Sequence, residues 1–103
     1  MYIARFSYDL LPSNRQQGIA FIRREVEAAR EQGLAAKLLV PVTRAQGGHA
    51  LQFELELKNL DQLDQFRQGG VESNESTGKW MHAFSEILVA PPAVEILRID
   101  DGA

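Results

Sequence analysis

Six side chains in this chain could do chemistry: Arg5, Tyr8, Glu54, Glu56, Trp80 and His82. Glu54 and Glu56 stand two residues apart, so on a strand they share one face. Arg5 belongs to another alternating segment and can join them there. Such a surface could orient a polar ligand between an acid and a base, because like charges at close quarters raise the pKa of one carboxylate. The same three residues also suit an ion-pair cluster or a wet sheet surface. Trp80 is the single tryptophan. It could wall a pocket for an aromatic compound, or pack in the core with Phe84 and Ile87, which share its helical stripe. Tyr8 could hydrogen-bond a ligand or a protein group. His82, two positions past Trp80, faces away from that stripe. His49 follows Gly47-Gly48 in a turn, where loop residues often act. No second His, Asp or Glu stands near it at ligand spacing, which disfavours a metal site.

The elements that must position these residues are readable. His49–Lys58 (HALQFELELK) alternates without a break: Leu51, Phe53, Leu55 and Leu57 face one way, Gln52, Glu54, Glu56 and Lys58 the other. Residues 2–9 alternate likewise, with Tyr2, Ala4, Phe6 and Tyr8 on the apolar side. Ser13 is placed to cap a helix over about 14–32, with Gln16 as its capping-box partner. Ile19, Ile22, Val26 and Ala29 form the stripe of that helix, and Gly33 supplies its stop. Phe21 lies off the stripe, free for the second helix or a partner chain. A second strand spans 34–43, with Leu34, Ala36, Leu38, Val40 and Val42 on one face. Pro41 cannot donate to a ladder, which puts this strand at a sheet edge or a bulge. Arg44–Gly48 is the turn into the third strand. Asn59-Leu60-Asp61 opens a short helix carrying Leu60, Leu63 and Phe66, and Gly69-Gly70 ends it. Residues 71–76 read as a polar loop, 77–88 as a further helix, and 93–100 as a fourth strand.

The order βαββαβ predicts an α+β, ferredoxin-like sandwich over residues 1–103: a four-stranded antiparallel sheet in the order 4-1-3-2, with both helices on one face. The other face is polar at its centre (Arg5, Ser7, Gln52, Glu54, Glu56) and apolar toward its edges (Leu39, Pro41, Leu97, Ile99). A second copy packed sheet to sheet would cover those rims. The expected partner is therefore the chain itself, in a two-fold dimer.

Composition narrows the function classes. The 103 residues carry a formal charge of −3, and the eleven Lys and Arg are scattered. The dense pair Arg23-Arg24 is followed at once by Glu25 and Glu27, which argues against a nucleic-acid surface. The absence of cysteine excludes disulfides, thiolate nucleophiles and Cys-ligated metals. Arg5 and Asp9 interrupt any signal-like N-terminus, and no apolar run approaches a membrane span. These features fit a cytoplasmic protein. The third strand lacks the exposed aromatic and basic residues of an RNA-recognition motif. DLLPSNRQQG offers no glycine-rich phosphate cradle of the acylphosphatase kind, although DLLPSN could form the ligand-contacting loop of an amino-acid-binding domain.

The element order, the second-helix residues Trp80 and Phe84, and the ending APPAVEILRI resemble the dimeric α+β barrel superfamily, in particular its NIPSNAP-like and antibiotic-biosynthesis-monooxygenase-like members. The resemblance implies a homodimer whose sheets form a barrel, with any ligand between sheet and helices or inside the barrel. It also implies that a monooxygenase would use a Trp with a neighbouring Asn and no cofactor. Haem-degrading relatives add a helix His and an Asn on the first strand. Here the first strand has no Asn and LDQFRQGG has no His, so no cofactor is expected. Two functions follow as expectations. One is a cofactor-independent oxygenase or isomerase acting on a small apolar or aromatic molecule, with Trp80 and Tyr8 lining its pocket and Arg5 and Glu54 orienting polar groups. The alternative is a non-catalytic, stress-associated module that binds a small molecule.

Overall fold

Period-two alternation in four segments becomes one sheet with an apolar and a polar face. A computed structural model of the chain describes residues 1–44, 46–69 and 83–100, the side chains of 67–69 excepted. In chain order the elements are β1 (Tyr2–Tyr8), a 3₁₀ turn (Pro12–Asn14), α1 (Arg15–Glu31), β2 (Ala35–Leu39), β3 (Leu51–Leu57), α2 (Asp61–Gly69) and β4 (Ala93–Arg98). Residues 83–87 are also helical. The sheet runs β2-β3-β1-β4, every neighbouring pair antiparallel. This is the expected order read from the other edge, and the fold is the ferredoxin-like one. The loop read over 71–76 and the start of the helix read over 77–88, including Trp80 and His82, lie outside the described residues, as do Gly70 and Ala45.

The core sits between the sheet and the helices. Ala4 and Tyr8 from β1, and Leu51, Phe53, Leu55 and Leu57 from β3, meet Ile19, Ile22, Val26 and Ala29 from α1. Leu63 and Phe66 of α2, with Phe84, close the other side. Phe53 is the pivot, its ring 5.5 Å from Phe6 and 6.2 Å from Phe66. Phe21 stacks on Phe84 at 5.0 Å, so it serves the second helical layer. α1 ends as its sequence requires. Gly33 takes φ +81, while its N–H reaches the Arg30 carbonyl and that of Leu34 reaches Ala29. This pair of hydrogen bonds is the Schellman arrangement that a left-handed glycine permits.

Four sequence expectations are corrected. Ser13 does not cap α1. Pro12 starts a tight turn in which the N–H groups of Asn14 and Arg15 bond to Leu11 and Pro12 carbonyls, so α1 begins one residue later, at Arg15, with Asn14 as an N-cap that makes no side-chain bond. β2 stops at Leu39, leaving Val40 and Val42 exposed at 41% and 101%. Pro41 lacks the N–H that would continue the ladder, and it follows an edge strand rather than sitting within one. Leu60 is exposed at 49%, because it lies in the turn before α2. Asn59 caps the helix start, the Gln62 N–H donating to Asn59 Oδ1, while the Gln62 side chain reaches back one residue further and accepts from the Lys58 N–H. β3 and β4 are shorter than their alternating segments by a few residues at the ends. No helix among the described residues is long and apolar enough to cross a membrane.

Candidate functional site

The polar face of the sheet is organised by register. Lys37 on β2 lies opposite Glu54 on β3, Glu54 opposite Arg5 on β1, and Arg5 opposite Glu95 on β4. Across the sheet the row reads plus, minus, plus, minus. Arg5 Nε donates to Glu54 Oε2 at 2.6 Å, and Lys37 Nζ stands 3.8 Å from Glu54 Oε1. The Glu54 side chain is only 6% exposed, a burial that an ionised carboxylate tolerates because each oxygen faces a cation. In the next row Gln52 Nε2 donates to Ser7 Oγ at 3.2 Å. Glu56 shares the face but is exposed, opposite Ile3 and Ala35, and has no ion-pair partner among the described residues. The structure therefore joins Arg5 to Glu54, leaves Glu56 apart, and adds Lys37, which sequence reasoning had not singled out.

Tyr8 belongs to the other face. It is buried against Phe84 with ring centroids 5.1 Å apart. Burial first, and the Glu25 carboxylate second, push its phenol above the ordinary tyrosine range. The group is a neutral hydrogen-bonding partner, not a base. It points away from Arg5 and Glu54, so within one chain these residues cannot grip the same part of a ligand. Trp80 and His82 fall outside the described residues. Of the described residues that follow them, Phe84 is buried, and Ile87 and Leu88 pack partly against the core.

A second polar constellation lies at the end of the sheet, just past β1 and just before β3. Asp9 Oδ2 and His49 Nδ1 are 3.0 Å apart, their side chains 38% and 34% exposed. A carboxylate only accepts, so in a neutral imidazole Nδ1 carries the proton and Nε2 presents its lone pair. The backbone steadies the pair: the Ala50 N–H bonds to the Tyr8 carbonyl, and the Val89 N–H to that of Asp9, at 3.1 and 3.0 Å. The Asp9 partnership was missed in the sequence. The signal for it was the register: with Tyr8 opposite Leu51, Asp9 falls across from Ala50, one residue from His49.

An open groove of about 240 Å³ runs between the 3₁₀ turn, the start of α1 and the β2–β3 connection. Leu10, Leu11, Pro12, Pro41, Val42 and Ala50 give it apolar side chains, Arg15 and Arg44 supply its charge, and the exposed lining is polar and apolar in nearly equal parts. Arg15 Nη2 donates to the Pro41 carbonyl at 3.2 Å, which ties α1 to the connection. Leu10 and Ala50 of the lining are the chain neighbours of Asp9 and His49, which do not themselves line the groove. No group of three or more His, Asp or Glu that could hold a metal occurs among the described residues.

Solved structures share this architecture from end to end. One described as an antibiotic biosynthesis monooxygenase superposes with a TM-score of 0.70 at 16% identity, covering 97% of this chain and 99% of its own. A NIPSNAP family protein from Agrobacterium tumefaciens gives 0.74 at 15% identity, covering 99% and 88%. An uncharacterized NIPSNAP domain protein from Burkholderia xenovorans gives 0.73 at 8% identity, covering 100% and 98%. The chain has their fold. No protein-family model matches the sequence, and no curated protein matches it. At these identities the likeness carries the ferredoxin-like α+β fold of monooxygenase-like and NIPSNAP proteins. Chemistry has to be argued from side chains.

Proposed function

We propose that this chain is a cofactor-independent oxygenase or isomerase that acts, as a homodimer, on a small apolar or aromatic molecule, with His49 as its proton acceptor. The observation that carries the reading is the 3.0 Å contact between His49 and Asp9, each one residue along the chain from a groove lined by both apolar side chains and arginines. Both reaction classes begin by removing an acidic proton from carbon or from a phenolic oxygen. That needs a base held in one tautomer and orientation, which is what a carboxylate on Nδ1 provides. The fold shared with a monooxygenase structure over nearly the whole of both chains supports the same reading.

The dimer rests on the charge row. A two-fold axis parallel to the strands lays the row of one copy on that of the other in reverse. Lys37 of each copy then meets Glu95 of the other, and Glu54 meets Arg5. An axis across the strands would set like against like. The partly buried Leu39 and Leu97, and Ile99 at 40% exposure, would be covered in the same step.

The experiment is a screen of hydroxylated aromatics and enolisable ketones with chelator-treated protein, read by oxygen uptake and product mass spectrometry. Conversion of at least one compound is expected, reduced about hundredfold in His49→Gln. A wild type inert across both classes, or a His49→Gln variant as active as the wild type, overturns the proposal. Light scattering should give twice the chain mass, and a monomer at micromolar concentration would remove the dimer.

A further inference from the structure

We infer that the groove at the end of the sheet binds the carboxylate of a small amphipathic acid, with Arg15 and Arg44 holding the anion and the Leu11, Pro12 and Val42 walls holding its apolar body. The inference rests on the functional reading above and specifies its substrate class. Three observations support it. First, the chain is acidic, with net charge −3, yet the groove lining contains two arginines and no carboxylate. Asp9, the acid that precedes Leu10 of the lining, is engaged by His49. Second, the Arg15 guanidinium is fixed in place by its bond to the Pro41 carbonyl, which uses one nitrogen of its fork and leaves N–H groups for an incoming pair of oxygens. Third, the walls keep large apolar side chains in water, Leu11 at 56% exposure and Val42 at 101%. An occupant with an apolar body would cover them.

Size and position agree with this assignment. A volume of about 240 Å³ lies just under the range of roughly 300–1,000 Å³ typical of drug-sized ligands, so the occupant is a small acid. Its far end would reach toward Ala50 and so toward His49. The arginines would then anchor the carboxylate while the base acts on the body, remote binding energy being used for orientation.

The test is titration of the full chain with phenylacetate and with its neutral isostere phenylacetamide, by calorimetry and amide chemical shifts. Phenylacetate is expected to bind about tenfold tighter than the amide, with shifts at Leu11, Arg15 and Val42, and to weaken as salt is raised. Arg44→Gln, at an exposed position, should lose about tenfold in phenylacetate affinity. Arg15→Lys, which keeps the charge but not the fork, should lose a smaller factor. Equal binding of acid and amide overturns the inference. So does the absence of saturable binding by the wild type, or unchanged affinity in both arginine variants. His49→Gln should still bind phenylacetate. Intact binding without turnover would then strike the catalytic reading alone, and turnover without discrimination between acid and amide would strike this one alone.

Discussion

Two acid–base contacts join the first and third strand segments, and they differ in what surrounds them. Arg5–Glu54 is at the centre of the sheet, with the glutamate side chain 6% exposed and its second oxygen facing Lys37. Asp9–His49 is at the end of the sheet, each side chain about a third exposed, and His49 Nε2 has no partner among the described residues. The first pair is saturated: every charge in it is answered, so proton transfer there would break what makes its burial tolerable. The second pair is half-committed, since one nitrogen holds the geometry and the other is open to a substrate. Residue type alone would rank two glutamates and an arginine above a turn histidine as a catalytic site. Partnering and exposure reverse that ranking.

The largest expected effect tests the saturated pair. Glu54→Ala leaves the Arg5 guanidinium half-buried and unanswered, and should cost about 3 kcal/mol in urea denaturation. Replacing both residues by leucine should recover most of that loss. A neutral Glu54→Ala would mean the cluster is only a wet surface, and the contrast between the two pairs would collapse. Next comes the half-committed pair. Asp9→Asn removes the acceptor that fixes the His49 tautomer and should lower kcat/KM about hundredfold, equivalent to about 2.7 kcal/mol, while stability moves by less than about 1 kcal/mol. A variant that loses stability and keeps its rate would make this pair structural as well.

A third measurement uses Tyr8, on the far side of the sheet from Arg5 and Glu54. Burial holds its phenol protonated in the folded chain above the ordinary tyrosine range, whereas the unfolded chain releases that proton from about pH 10. The folded state therefore binds more protons above that pH, and stability should fall as pH rises. Between the unfolded and folded pKa values the slope should approach about 1.4 kcal/mol per pH unit. Tyr8→Phe should flatten that decline, and the tyrosinate absorbance of Tyr8 should appear only on unfolding. The smallest effect belongs to Lys37→Ala. At 3.8 Å and with a side chain 56% exposed, it should change stability by no more than about 0.5 kcal/mol. A larger loss in the dimer than in a dilute monomer would point to the pairing with Glu95 of a second copy.

Much of the fold was legible because its signals are local. Alternation over residues 2–9 and 49–58, the helical stripe Ile19-Ile22-Val26-Ala29, and Gly33 after it each report a backbone conformation through side chains a few residues apart. The misreadings had local causes of another kind. Ser13 looked like a cap until Pro12 imposed a tighter turn, and Val40 and Val42 continued an apolar alternation that Pro41 had already ended. The candidate site was less legible. Arg5 and Glu54 were expected to share a face and do, whereas Asp9 with His49, Lys37 with Glu54, and the arginine-lined groove bring together residues between 17 and 40 positions apart.

Hydrophobic periodicity and turn chemistry determined the elements, their order and which side of each strand would be dry, since those depend on neighbours along the chain. Only the tertiary structure decided which charges meet. Strand register sets every cross-strand pair at once, and where the strands end sets how much water each pair keeps. That second decision separates the buried, fully answered Glu54 from the accessible, half-answered His49.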